Sequence, residues 1–406
     1  MGSFYAKRLD DFVASQRPNG GFTETAPSVG MADAGLGGGS GPIGWEAFLP
    51  VAAMWLYKFY GDSATVARVY PAAARYVAFL QGADPARIEN GLGDWMTLER
   101  KFLRRPPHTH ARAHFKKTTA PSPPDPPKRY PKTASALPLT GRGFQYLSYL
   151  EFANMSRVVG NASAAAVFDS AAVTVSALIN DRFLDATTGM YAAKGVFNGT
   201  QCGQAMPLFL RIVPPAAEAA ALSVLVDNLV SKKGHLSVGS FGVKYLLMAL
   251  ADRGQTTLAA QVMLQEDFPS FGYMLNGAAN NLTNATTIWE SWFTSDNTFS
   301  HNHPMFTSGE VWMYQGLAGI QAHPAARGWD RALIKPAPPR DGSVTSVDAR
   351  VVTVRGEVSV SWQASAGVFH MQLCVPANMA ADVRVPGAAE AVTVMGCCPC
   401  NFTGSL

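Results

Sequence analysis

Residues 284–320 read NATTIWESWFTSDNTFSHNHPMFTSGEVWMYQGLAGI. One carboxylate, Glu290, stands between Trp289 and Trp292, and His301 and His303 follow eleven and thirteen residues later. A helix start at Glu310-Val311-Trp312 closes the segment. Aromatic faces stack on the C–H faces of a pyranose, and a carboxylate can move a proton or activate a water. The pattern therefore points to a sugar site, although a structural helix with an interfacial glutamate fits the same spacing. The segment also marks a change of architecture. The helix expected over 307–321 is the last of a series, and from Arg331 onward apolar residues alternate with period two.

Working outward, helical periodicity recurs at 3–17, 45–60, 64–81, 142–160, 162–183, 202–212, 215–231, 239–252 and 255–266. Gly61-Asp62 supplies a C-cap followed by an N-cap, and Asp252-Arg253-Gly254 separates another pair. Strands are expected at 332–336, 346–355, 357–363, 368–375, 382–385 and 391–395. The chain thus reads as mainly α: an array of helical hairpins over 1–330, fitting an α/α toroid, then a small antiparallel β-sandwich over 331–406. Residues 103–137 stand apart. They hold RRPPHTHARAHFKK and APSPPDPPKRYPK, too proline-rich for helix or central strand, and are expected to be a disordered insertion. His108, His110 and His114 lie there without the rigid frame that metal geometry needs.

Only 15% of the 406 residues are charged and 48% are hydrophobic, the balance of a globular protein. Much of the +4 net charge comes from Lys101–Lys132, so charge gives no case for nucleic-acid binding. Of the five cysteines, Cys397, Cys398 and Cys400 crowd into the tail beyond Cys374, and the fifth is Cys202. No second pair sits at zinc-ligand spacing, so disulfides or an irregular terminus are favoured over a metal. There is no P-loop and no dinucleotide glycine motif, and no cofactor is expected. No apolar run near 20 residues suggests a membrane span. The first residues lack a signal-peptide core, yet Asn154, Asn161, Asn198, Asn281, Asn284 and Asn401 head glycosylation sequons, which slightly favours a secretory route.

The segment Thr286-Thr287-Ile288-Trp289-Glu290, with Asn302-His303, Gly309-Glu310 and the Tyr314–Ile320 stretch, resembles the base-carrying segment of the α-L-rhamnosidases of glycoside hydrolase family 78, an inverting family. Further motifs follow in the family's order. They are the helix before Arg17-Pro18-Asn19-Gly20, Gly41–Trp45, Tyr57–Asp62, Gly93-Asp94-Trp95, Gly234–Gly239, and Pro269–Met274 with Phe271 where tryptophan is usual. Arg331–Pro336 resembles the first strand of the family's C-terminal sandwich. The resemblance implies an (α/α)6 barrel of twelve helices, about ten of them visible here, and an N-terminally incomplete version of the enzyme. The family's general acid lies in an Arg-Asp-Glu segment upstream of the opening helix, and no such segment occurs in this chain.

On that resemblance, Glu290 is expected to be the general base and His303 to hydrogen-bond a sugar hydroxyl. Trp45, Trp95, Trp289 and Phe271 are expected to wall the sugar, and Asp94 to accept from its hydroxyls. Each of these has an ordinary reading: a core indole, a satisfied histidine, a turn-stabilising aspartate. Glu24 and Glu46 are spare carboxylates near the same mouth. The expected partner is a rhamnose-containing glycoside, cleaved with inversion. A rhamnose-binding relative without the acid, or an (α/α)-barrel enzyme for another sugar, remains as the alternative.

Overall fold

The computed structural model describes residues 1–23, 25–27, 43–89, 93–99, 136–276, 285–292 and 300–406. Residues 103–135, Glu24, Asn281 and Asn284 lie outside these, so the expectations placed on them go no further. The helical part runs α1 (Gly2–Ala14), α2 (Ile43–Glu46), α3 (Phe48–Tyr60), α4 (Ser63–Gly82), α5 (Pro85–Glu89), α6 (Leu137–Val158) and α7 (Ala162–Phe183). It continues with α8 (Gln201–Leu210), α9 (Pro215–Ser231), α10 (Ser240–Asp252), α11 (Thr256–Met263) and α12 (Phe271–Leu275).

Local chemistry sets these boundaries. Gly61 closes α3 in the left-handed region at φ 73°, and Asp62 opens α4 by accepting from the Thr65 N–H at 2.8 Å. Asn161 and Ser270 cap α7 and α12 in the same way. α6 starts at Leu137 rather than 142, because Pro138 in a first helical turn fits the helix instead of breaking it. In α10 nearly every residue from Ser240 to Ala251 is buried, so it is an inner helix. α7 is long and apolar enough to cross a membrane by length and composition, but it pairs with α6 and exposes Val167 and Val173. Its Asn180 donates to the Ile212 carbonyl at 2.7 Å and accepts from the Tyr191 hydroxyl at 2.6 Å.

Two features depart from the expected element pattern. A small sheet, β1 (Leu184–Asp185), β2 (Met190–Ala193) and β3 (Phe197–Asn198), fills the α7–α8 connection. The helix expected over 307–321 is broken instead into a 3-10 turn at Phe306–Gly309, a short α13 (Glu310–Trp312) and a π turn at Met313–Leu317. The chain then enters β4 (Ile320–Ala322), which pairs antiparallel with β5 (Arg331–Ile334). The remaining strands are β6 (Ser346–Thr353), β7 (Gly356–Ser365), β8 (Val368–Cys374), β9 (Ala380–Val383), β10 (Val392–Met395) and β11 (Cys400–Ser405).

The strands form two four-stranded sheets, β10-β9-β5-β4 and β11-β8-β7-β6. The second is antiparallel throughout, whereas β5 and β9 run parallel and make the first mixed. Val358, Val360 and Trp362 of β7 and Phe369, Met371 and Leu373 of β8 point into a core separate from the helical one. That second core begins at Ala318. The two parts are stitched together by Trp362 Nε1 on the Leu317 carbonyl at 3.1 Å, and by the Gly328 and Trp329 N–H groups on the end of α3, both at 3.1 Å. The tail cysteines pair as Cys374–Cys398 and Cys397–Cys400, and Cys202 is a buried free thiol.

Candidate active site

The N-terminal lip of α10 gathers most of the singled-out residues. Gly239 precedes the helix and offers no capping side chain. The cap comes instead from Asp94, 145 residues earlier: Oδ2 accepts from the Gly239 N–H at 2.6 Å, and Oδ1 accepts from Phe241 at 3.0 Å and Gly242 at 2.9 Å. A carboxylate at a helix N-terminus satisfies orphan donors and opposes the positive end of the dipole. Glycine is required on this lip for space. A Cβ at Gly239 would overlap the Trp95 carbonyl, and one at Gly242 would lie 2.9 Å from Asp94 Oδ2.

Asp94 is therefore not a sugar ligand in this arrangement. It is 0% exposed, and both oxygens are committed to the backbone. Burial pushes its carboxyl up to about 7, against the three donors that pull it down. The turn after it is pinned as well. The Trp95 carbonyl accepts from the Ser240 N–H at 2.8 Å, and Thr97 Oγ1 donates to the Ser237 carbonyl at 2.7 Å. Glu99, which no sequence motif singles out, takes the Gln201 N–H at 2.7 Å, Ser237 Oγ at 2.8 Å and Lys232 Nζ at 3.1 Å.

Trp95 reaches Glu290 directly. Its Nε1 donates to Glu290 Oε1 at 3.1 Å, and the Ser300 N–H donates to Oε2 at 3.0 Å. Both carboxylate oxygens are thus held, and the group remains partly exposed. Two chain segments zip together around it. The Glu290 N–H meets the Ser300 carbonyl at 2.9 Å, the His303 N–H meets the Ile288 carbonyl at 2.9 Å, and Thr287 Oγ1 bonds the His301 carbonyl. Burial lowers the pKa of His303 more than the charge of Glu290 raises it, which favours a neutral ring. Its Nδ1 is buried without a hydrogen-bond partner.

The aromatic residues divide into two sets. Trp45 stays partly exposed and meets Phe241 edge to face at 5.3 Å, so it sits over the same lip as Asp94. Trp292 is 1% exposed, donates Nε1 to the Val238 carbonyl at 2.6 Å and packs against Phe271 and Phe306. That makes Phe271, itself buried, part of the support behind the segment rather than an open wall. Trp289 is also buried, with its ring 5.6 Å from His301. Glu46 is closed off from solvent. It is 0% exposed, Oε1 accepts from the Phe22 N–H at 3.0 Å and from Arg87 at 3.3 Å, and burial pushes it up to about 7. The signal for the Asp94 contact was in the sequence as the small-residue lip Gly239-Ser240-Phe241-Gly242, but nothing there names its partner.

A family model for the bacterial α-L-rhamnosidase six-hairpin glycosidase domain matches residues 1–317, and one for the bacterial α-L-rhamnosidase C-terminal domain matches 319–396. An α-L-rhamnosidase of Streptomyces avermitilis is 30% identical over 395 residues, covering 94% of this chain and 33% of the relative. One from Formosa agariphila is 24% identical and is covered to 37%. The chain thus spans about a third of the length of these curated relatives. Among solved structures, an α-L-rhamnosidase from Dictyoglumus thermophilum superposes with a TM-score of 0.80 at 24% identity, over 100% of this chain and 44% of that one. The S. avermitilis enzyme complexed with L-rhamnose gives 0.77 at 25% identity, over 98% and 36%. With its helical hairpins, its C-terminal sheets and both matches in order, the chain belongs to the bacterial α-L-rhamnosidase six-hairpin glycosidase family.

Proposed function

We propose that this chain carries the general base and sugar pocket of a glycosidase that removes terminal α-L-rhamnose with inversion. The observation that carries the reading is the Glu290 carboxylate, partly exposed and fixed at both oxygens by Trp95 Nε1 and the Ser300 N–H. A base that takes a proton from water must be oriented before the water arrives, and two donors on one carboxylate provide that orientation. His303, kept neutral, offers a sugar hydroxyl one donor and one acceptor. Trp45, partly exposed beside Phe241 of α10, supplies an apolar face. Of the described sequon asparagines, Asn161, Asn198 and Asn401 are exposed and Asn154 is half-buried, and the Asn161 amide donates to the Tyr70 hydroxyl at 3.3 Å.

Inverting hydrolysis uses a second carboxyl group, roughly 6.5–9.5 Å from the first, to protonate the leaving oxygen. Glu46 is a poor choice for that acid because its carboxyl is fully buried and held by the Phe22 N–H and Arg87. Two substrates separate the two roles in this 406-residue chain. A dinitrophenyl α-L-rhamnoside departs without protonation, whereas an alkyl α-L-rhamnoside needs the acid. The expected result is cleavage of the activated substrate with little turnover of the alkyl one. Turnover of both would place an acid within this chain. Turnover of neither by folded protein, with L-rhamnose still bound, would leave a rhamnose-binding relative; without that binding, the rhamnoside reading fails.

Trp95 offers a finer test. Trp95→Phe keeps an aromatic face but removes the donor to Glu290 Oε1. Steady-state kinetics on the activated rhamnoside should show kcat lower by about ten- to a hundred-fold, with a smaller change in KM. A raised KM with unchanged kcat would mean that Trp95 acts only as a stacking wall.

A further inference from the structure

Trp45 stands on α2, a single helical turn whose Ile43 carbonyl accepts from the Ala47 N–H at 3.0 Å. A turn that short does not offset its own ordering, so flanking contacts must fix the direction of the indole. On one side the contact is packing. A Cβ at Gly44 would lie 2.9 Å from the Phe241 ring and 3.0 Å from the Phe144 ring, and the Trp45 ring meets Phe241 edge to face at 5.3 Å. Phe241 leads on to the rest of the site. Its N–H donates to Asp94, and the next residue, Trp95, donates to Glu290.

On the other side the contact is Glu46. Its carboxyl is fully buried, and Oε1 accepts from the Phe22 N–H at 3.0 Å and from Arg87 at 3.3 Å. Both donors are anchored in turn. The buried Phe22 ring lies 4.4 Å from Phe12 and 5.6 Å from Tyr76, and the Arg87 guanidinium lies 5.1 Å from the centre of the Phe79 ring. Burying a carboxyl is costly, and an apolar side chain of the same size would fill this space without that cost. What the carboxyl adds is direction. Two hydrogen bonds to two fixed groups set the rotation of α2, and with it the indole of the preceding residue. We propose that Glu46 is a positioning residue, which fixes the angle at which Trp45 meets the sugar. That the ligand is rhamnose rests on the function proposed above; the clamp on Trp45 does not.

The test combines fluorine NMR of the chain labelled with 5-fluorotryptophan and calorimetric titration of L-rhamnose. Trp45→Ala identifies the Trp45 resonance among those of the eight tryptophans. Glu46→Met keeps the volume and removes the acceptor. Arg87→Met is milder, since it removes one donor and leaves the Phe22 N–H in place, and it decides the matter if Glu46→Met does not fold. Each variant should shift or broaden the Trp45 line, leave the line of Trp362 in the sheet core where it was, and weaken L-rhamnose by about five- to ten-fold, the worth of one aromatic contact. Glu46→Gln keeps a carbonyl acceptor and should stay within about three-fold. In a Trp45→Ala background neither Glu46→Met nor Arg87→Met should weaken rhamnose further, because both act through the indole. An unmoved Trp45 line, an unchanged rhamnose affinity, or an equal loss in the Trp45→Ala background would each overturn the proposal. A Trp45 line that moves as expected in a chain that binds no L-rhamnose even unsubstituted would instead support the clamp and count against the rhamnose reading alone.

Discussion

Glu290→Gln is expected to lower hydrolysis of dinitrophenyl α-L-rhamnoside by about a thousand-fold while L-rhamnose binding changes only a few-fold. The substitution keeps the shape of the side chain and one carbonyl oxygen. That oxygen can still accept from Trp95 Nε1 or from the Ser300 N–H, but not from both as the carboxylate does. What disappears is the ability to take a proton from water. The activated leaving group matters here because it makes the rate depend on the base alone. Glu290→Ala gives a second readout. With sodium azide as nucleophile, attack from the face that Glu290 vacates should yield the β-rhamnosyl azide, and inversion itself is read by NMR from the unsubstituted chain, which should release β-rhamnose first. An α-azide would place Glu290 on the leaving-group side, and an activity within ten-fold of the unsubstituted chain would remove Glu290 from the role of base.

The helical array was legible because its signals are local. Apolar spacing, the Gly61-Asp62 punctuation and the capping Asn161 and Ser270 act within a few residues of the elements they define. Trp289-Glu290-Ser291-Trp292 stood out for its composition, and family motifs placed it. What the sequence could not specify was which of these residues face a cavity. Four aromatics read as walls, yet Phe271 and Trp289 are buried, because a ring on a packed loop has the same letter whether it lines a pocket or supports one. Strand β11 went unread because its alternation, Cys400 to Ser405, carries small and polar residues on an edge where burial is slight. The helix expected over 307–321 is shorter in the structure because periodicity cannot register the 3-10 and π turns that interrupt it.

The contacts that assemble the site are long-range ones. Asp94 meets Gly239 across 145 residues, and Trp95 meets Glu290 across 195. Both pass through the same short turn, which clips onto α10 with one side chain and holds the carboxylate with the next. The arrangement has a mechanical consequence. Position at Glu290 depends on Trp95, Trp95 depends on the backbone bond between its carbonyl and Ser240, and that bond depends on Asp94 holding the helix start. A defect at a residue that touches no substrate should therefore appear as a loss of rate.

Asp94→Ala is the sharpest case. It leaves the N–H groups of Gly239, Phe241 and Gly242 buried without partners and opens a small cavity beside them. A single buried unsatisfied group costs about 1–3 kcal/mol, so removing a carboxylate that serves three should cost about 3–5 kcal/mol, enough to lower the urea midpoint clearly or prevent folding. Asp94→Asn keeps the chain testable where alanine does not. Its carbonyl can still serve Phe241 and Gly242, while its amide opposes the Gly239 N–H. It also removes a titration. Burial raises the folded pKa of Asp94 to about 7, above the ordinary value of about 3.9 for an unfolded aspartate. Between those values the folded chain binds more protons than the unfolded one, so this contribution is complete below about pH 4 and is lost as pH rises through 7. Glu46, also raised to about 7 by burial, acts with the same sign. Urea unfolding from pH 4 to 8 should therefore show stability falling with pH in the unsubstituted chain, and a shallower fall in Asp94→Asn. If the three backbone donors outweigh burial instead, Asp94 would contribute the opposite slope at acid pH, and Asp94→Asn would steepen the fall rather than flatten it.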